Sequence, residues 1–173
     1  MQTRHCLSLF AAAAVLFVLL AVLGIISGSA GALFQSDVKR LFAYSSVAHV
    51  GYMLLGIGLG GALGLTGSIA HMFNHALAKG AVFLAVGCVV LRLGSSNLAH
   101  FRGMGRRMPW TMAAFTIAAL SLIGIPLTAG FVGKWYLLLS ALEKGWWWVA
   151  IALLAAAALA VMYVWRVIEQ AYF

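Results

Sequence analysis

The sequence predicts an all-α integral membrane protein, a polytopic bundle of about five spans of which one is discontinuous. Of its 173 residues, 65% are hydrophobic and only 8% are charged, and the mean hydropathy is +1.06. A soluble domain carries about 25% charged residues, so this composition excludes one. The apolar residues also form long segments, most of them near the roughly 20 residues that a helix needs to cross a bilayer.

The predicted spans belong to a single transmembrane domain over residues 1–173. They cover residues 7–33, 41–59, 68–92, 110–142 and 146–167. A glycine-rich stretch, 58–67, is expected to form a loop between the second and third spans. Ser36 and Asp37 before the second span, and Pro109 before the fourth, are ordinary helix-start signals.

The fourth span is interrupted near residues 124–130. The apolar run before the interruption has about 16 residues, or roughly 24 Å of helix, and the run after it has only about 12. Two separate spans remain an alternative. The favoured interpretation is one discontinuous helix broken at Gly124, Pro126 and Gly130 near the middle of the membrane, a pattern that marks binding sites in transporters.

The third span carries three proton-binding side chains, His71, His75 and Lys79. Steps of four residues place them along one slowly drifting stripe of a helix, roughly 12 Å from end to end. Ionisable groups at membrane depth are costly and usually mark an ion or proton path. The alternative is that both histidines are packed core groups and that Lys79 reaches an interface.

Three further basic residues, Lys134, Lys39 and His49, are considered for the same ion path, and Lys134 has the strongest support. Lys134 follows the helix break by one turn, and Glu143, at the end of its helix, lies roughly 13 Å away, too far for its stem to cover easily. Freed carbonyls at the break can stabilise its charged form. Lys39 suits either membrane orientation or proton uptake. For His49, a packed polar group is favoured over a part in the ion path.

Other chemistry finds little support in the sequence. No carboxylate lies within a predicted span, so three buried bases either stay partly neutral or use an acid from elsewhere. Cys6 and Cys88 lack metal-ligand spacing and are interpreted as inert core residues. No metal, no cofactor and no catalytic set is expected, so the chain is predicted to be a transporter subunit rather than an enzyme.

The positive charges are distributed unevenly between the two sides of the membrane. With the N-terminus outside, the outer loops hold two basic residues, Arg4 and Lys144. The inner loops and tail hold seven, which are Lys39, Arg40, Arg92, Arg102, Arg106, Arg107 and Arg166. Such a bias sets orientation in a membrane. The bases are scattered through short loops without a continuous stripe, which argues against nucleic acid as a partner.

Three motifs resemble those of antiporter-like membrane subunits. Residues 35–52 resemble the pattern D-x-K-R-x-x-A-Y-S-S-x-x-x-x-G-Y, residues 71–79 resemble H-x3-H-x3-K, and residues 124–134 resemble the broken helix with its lysine. These subunits occur in NADH:quinone oxidoreductase (complex I), membrane hydrogenases and Mrp-type Na+/H+ antiporters. The last part of the chain is most similar to the D-type subunit of the Mrp antiporter. The motifs occur in family order from about residue 10 onward.

The resemblance implies one of two inverted five-helix repeats, the second. It implies translocation of protons, and of Na+ in an antiporter, through His71, His75, Lys79 and Lys134, with Lys39 near the cytoplasmic side. The expected partners are the lipid bilayer and other membrane subunits, and the expected location is a bacterial inner membrane. Alternatives are a proton-pumping subunit of complex I or a hydrogenase, and a truncated structural subunit without transport of its own.

Overall fold

The computed structural model describes the backbone of residues 2–173 and the side chains of Leu9 and residues 12–173. The interpretations of Arg4 and Cys6 lie outside the described side chains. The helices are α1 (Gln2–Leu33), α2 (Val38–Leu59), α3 (Gly61–Leu93), α4 (Met104–Arg107), α5 (Pro109–Ile123), α6 (Ala129–Glu143) and α7 (Trp147–Tyr172), with a short 3-10 helix over Leu98–Phe101. Four of the described helices, α1, α2, α3 and α7, are long and apolar enough to cross a membrane. The predicted all-α membrane fold is confirmed.

The glycine-rich loop expected over 58–67 is reduced to a turn at Gly60. That glycine has φ +62°, ends α2 and precedes α3, which begins seven residues before the predicted third span. The reason is close packing, since a Cβ on Gly56 would lie 2.6 Å from the carbonyl oxygen of Gly64 on the facing helix. These glycines let two helices approach closely, as small residues do in membrane bundles, instead of breaking them.

Helices α5 and α6 together run antiparallel to α3. Ser121 near the end of α5 bonds Asn74 of α3, and Gly133 of α6 lies against His71. Further along α6, Leu137 lies against Gly67. As the chain advances through α5 and α6, its contacts on α3 move steadily toward the start of α3, so α5 and α6 continue in one direction. Each of the two helices has 15 residues, roughly 22 Å, and is too short to cross a bilayer alone.

Two loops are joined at the end of the bundle that carries Lys39, Arg40 and Arg102, which we call the basic end. The backbone N–H of Val38 donates to Ser96 and the N–H of Leu98 donates to Ser36, which pairs the loop before α2 with the loop after α3. Asp37 accepts hydrogen bonds from Ser96 and from the backbone N–H of Arg40, so it caps α2. The cap thereby fixes both loops.

The outer surface of the bundle is apolar. Large side chains such as Leu84, Leu91 and Trp110 are between 74% and 89% exposed, as expected where lipid replaces water. Cys88 is also exposed, which corrects its interpretation as a core residue. It lies on the face of α3 away from the histidines. The spacing of apolar residues did not identify this face, because α3 is apolar almost all round.

Replacement of Asp37 by alanine is expected to destabilise the chain by about 1 kcal/mol at pH 7, since a helix cap is lost. Partial burial opposes ionisation, but the bonds from Ser96, Arg40 and Lys39 and the charge of Arg40 hold the pKa of Asp37 below its ordinary 3.8. This contribution is therefore present above pH 3.8 and lost as the pH falls through the folded-state pKa. Thermal unfolding in detergent at pH 7 and pH 3 measures it. Asp37→Asn, which keeps an acceptor oxygen without the charge, should lose less than Asp37→Ala at pH 7. Equal losses would contradict a cap that acts through the acceptor oxygen.

Candidate functional site

The three candidates on α3 face the interior of the bundle. His71 is fully buried, Lys79 is 6% exposed and His75 is half-buried. The Lys79 Nζ donates to the backbone carbonyl oxygen of Phe42 on α2 at 2.6 Å, and it lies 5.1 Å from the centre of the Phe42 ring. The amine is therefore held inside the bundle by a backbone acceptor and an aromatic face, which argues against the alternative that it reaches an interface.

His49 joins the histidines of α3 from the neighbouring helix α2. Its Nδ1 lies 3.0 Å from the Nε2 of His71, with the two rings stacked at 5.1 Å. Its ring centre lies 4.8 Å from that of His75. His49 is buried and hydrogen-bonded, as a packed polar group would be, and its ring lies against both histidines of α3.

Tyr52, one turn further along α2, extends this cluster toward the helix break. Its ring lies 5.0 Å from the His71 ring, and the Lys134 Nζ lies 5.0 Å from the Tyr52 ring centre. The phenol oxygen is buried and has no hydrogen-bond partner among the described residues. A cavity of about 180 Å³ adjoins Tyr52, Gly124 and Lys134, and its other lining residues are mostly apolar.

The amine of Lys134 completes the end of α5. Gly124, at φ +84°, directs its N–H to the carbonyls of Leu120 and Ser121. The Lys134 Nζ donates to the next two carbonyls, of Leu122 at 3.0 Å and Ile123 at 2.7 Å. Because helix C-termini carry partial negative charge, this end suits a cation. The break therefore provides the acceptors that hold this lysine.

Small residues bring the broken helix close to α3. A Cβ on Gly133 would lie 2.9 Å from the Cα of His71. A Cβ on Gly130 would collide with the carbonyl of Ser121 and lie 2.9 Å from the Nδ2 of Asn74. Only glycine therefore permits this approach, which sets the distance between the break and the histidines.

These side chains form one row, which we call the polar row. In order it contains Lys79, His75, His49, His71, Tyr52 and Lys134. The part of the row from Lys79 to Tyr52 extends roughly 15 Å, measured along α2 from Phe42, which binds Lys79, to Tyr52. The Nδ1 atoms of His71 and His75 have no partner among the described residues. Protein or water partners are the norm for such groups.

The structure does not bring every candidate into the polar row. Lys39 is exposed in the first turn of α2, about one turn beyond Phe42. Pro126 lies in the stretch between α5 and α6, with Gly124 at its start and Gly130 in the first turn of α6. Among the described residues, no group of three His, Cys, Asp or Glu is placed to hold a metal ion.

Sequence reasoning missed His49 and Tyr52 as site residues. Their spacing of three places them on one face of α2, and His49 is the one histidine predicted within that span. That spacing was the available signal. It does not say which face of α3 they meet.

The fold and site define a class, an all-α integral membrane protein with a lysine- and histidine-lined interior and a broken helix. Residues 3–160 match the family described as "NADH:quinone oxidoreductase/Mrp antiporter, TM", and the chain belongs to this family. This confirms the resemblance found in the sequence at the family level.

Individual relatives agree with this assignment. The chain is 46% identical over 153 residues to NADH-quinone oxidoreductase subunit N of Desulforudis audaxviator, covering 88% of this chain and 30% of the relative. It is 35% identical over 167 residues to F(420)H(2) dehydrogenase subunit N of Methanosarcina mazei, covering 91% of this chain and 34% of the relative. Hence the chain spans about a third of the length of the curated relatives it matches.

Solved structures of membrane complexes share the fold. A chain of the Mrp complex from Dietzia sp. superposes with a TM-score of 0.91 at 29% identity, covering 94% of this chain and 30% of that one. A chain of an archaeal membrane-bound sulfane sulfur reductase gives 0.89 at 34% identity, covering 94% and 33%. The assignment to the D-type subunit of the Mrp antiporter stays a prediction.

Proposed function

We propose that the chain forms part of a proton-translocating membrane subunit and that protons move along the polar row. The observation that carries this proposal is the series of contacts from His75 through His49, His71 and Tyr52 to Lys134, on three helices. Lys79 lies one turn from His75 on α3. Family membership supports the same function. Ionisable side chains facing a bundle interior are typical of proton relays.

Each member of the polar row has a distinct part in the proposed transfer. An imidazole accepts a proton at one nitrogen and releases one from the other, so the bond between His49 Nδ1 and His71 Nε2 suits direct transfer. His49 and His75 have ring contact without a hydrogen bond, so transfer there needs a ring rotation or a water. A water bonded to the unpartnered hydroxyl of Tyr52 and to the Lys134 amine would connect these two groups. Lys79 and Lys134 are the proton-holding ends.

Lys39 has a separate place in this proposal. It lies exposed at the basic end, about one turn from the Phe42 carbonyl that holds Lys79. From there it would receive protons at the cytoplasmic side. Gly124, Pro126 and Gly130 are the helix-break residues, and their part is to position Lys134 rather than to carry protons.

The driving process distinguishes two versions of the proposal. One is a Mrp-type Na+/H+ antiporter, supported by the fold shared with a chain of the Mrp complex. The other is a proton-pumping subunit of a redox complex, supported by relatives named as subunits of NADH-quinone oxidoreductase. Either version implies other membrane subunits as partners and, for a bacterial source, the inner membrane as location.

A vesicle assay separates these versions. Inverted vesicles are prepared from an antiporter-deficient strain that expresses either the chain alone or the chain together with the membrane subunits encoded beside it. Proton movement driven by Na+ supports the antiporter, and movement driven only by a quinone-reducing substrate supports the redox complex. Absence of transport under every combination would favour a structural subunit.

Replacement of His49 by glutamine is expected to lower proton movement at least tenfold, because the only described bond between imidazoles of the polar row is lost. The amide keeps polarity and approximate size but cannot carry a proton between two nitrogens. His100→Gln is the matched control, since His100 is exposed in the 3-10 helix outside the bundle. Equal transport by the two variants at equal membrane abundance would contradict the proposed path.

A further inference from the structure

A second cavity lies at the basic end of the bundle, apart from the polar row. Its volume is about 230 Å³, and its walls come from the loop after α1, the loop after α3 and the last turns of α7. The lining residues are Ser36, Asn97, Leu98, Ala99, Arg166 and Gln170. Four of these six residues carry hydrogen-bonding side chains, and Leu98 and Ala99 are apolar. The cavity lies at the level where the apolar helices end.

Donor groups dominate this cavity. The guanidinium of Arg166 has five N–H groups, and one nitrogen donates to the carbonyl of Leu33 at the end of α1. The side-chain oxygen of Asn97 is used by the N–H of Ala99, so its amide hydrogens are the group left to offer. Ser36 and Gln170 add a hydroxyl and a second amide.

The charge around the cavity is positive. No lining residue is acidic, and Arg166 has no carboxylate partner among the described residues. The nearby carboxylate of Asp37 is already bonded to Ser96 and to the N–H of Arg40. Lys39, Arg40 and Arg102 are exposed at the same end. Glu169, one turn along α7 from Arg166, is exposed and does not line the cavity. A guanidinium with spare donors and no bound carboxylate among the described residues is suited to an oxyanion, for which its planar fork is well matched.

We propose that this cavity binds a phosphate group through Arg166, Asn97, Ser36 and Gln170. The group comes from the headgroup of an anionic phospholipid or from free phosphate. The apolar part of the lining and the position at the membrane boundary suit the lipid, and basic pockets between helices at this level bind such headgroups in other membrane proteins. The proposal concerns a site that the polar row does not use.

The test measures lipid retention by the full chain purified in detergent and exchanged into defined lipid. Native mass spectrometry counts bound phosphatidylglycerol and bound phosphatidylcholine. Phosphatidylglycerol should be retained at least tenfold better, and Arg166→Gln should lower this retention about tenfold. Arg106→Gln is the control, because it removes the same charge from the same end outside the cavity lining. Equal loss by both variants would show general charge attraction and overturn the site.

Arg166 also bonds the end of α1, so a second variant leaves that bond intact. Gln170→Leu removes one donor and replaces it with an apolar side chain of similar size, and it should lower retention at least threefold. Competition with inorganic phosphate distinguishes the sources. Phosphate binding that needs Arg166, in the absence of lipid retention, assigns the site to free phosphate. The proposal is rejected if neither phosphate binding nor lipid retention depends on Arg166 and Gln170.

Discussion

Replacement of Lys134 by alanine is expected to abolish proton movement in vesicles, with a loss of at least a hundredfold. The amine is the end of the polar row at the helix break, and no other described lysine lies there. The same change leaves the carbonyls of Leu122 and Ile123 without their donor, at a cost of about 1–3 kcal/mol each if water does not replace it. Loss of activity alone would therefore not separate chemistry from folding.

Lys134→Arg separates them. A guanidinium keeps donors for the two carbonyls at the end of α5 but does not release its proton in proteins. If Lys134 exchanges protons, the arginine variant should be stable and inactive. Recovery of transport by arginine would assign Lys134 a structural part only. Lys144→Ala, an exposed lysine in the loop after α6, is the control that should keep full activity.

Replacement of Gly130 by alanine is expected to destabilise the bundle by about 3 kcal/mol. The added methyl group would overlap the carbonyl of Ser121 and crowd Asn74, which together join α5 to α3. Backbone at the end of a helix cannot move away as a flexible side chain does, so the cost lies at the upper end for overpacking. For a chain of this length, the midpoint of thermal unfolding in detergent should fall by roughly 10 °C.

Gly80→Ala is the matched control for this substitution. Gly80 lies in the middle of α3, and a Cβ there would meet no atom within 4 Å. Alanine also favours helix over glycine by about 1 kcal/mol in water. The control should therefore unfold no earlier than the parent. If both alanine variants were equally stable, close packing at Gly130 would not hold the broken helix against α3.

Much of the architecture could be predicted from the chain itself. In a bilayer the backbone must bond internally, so a long apolar segment is necessarily a helix. Local start signals then set where it begins, as the capping residue Asp37 does for α2 and Pro109 in the first turn does for α5. The positions of the glycine-rich turns were less predictable. Glycine serves both as a helix terminator and as a contact surface, and sequence alone does not distinguish Gly60 from Gly56.

The sequence by itself determined the membrane class, the family, the stripe of His71, His75 and Lys79, and the interruption before Lys134, because each depends on composition or on spacing along one segment. Only the tertiary structure decided that His49 and Tyr52 complete the row, that Lys134 bonds the end of α5, and that Arg166 lines a separate cavity. The physical reason is that helical periodicity gives the faces of one helix. Which faces meet depends on where small residues such as Gly130 and Gly133 let two backbones approach.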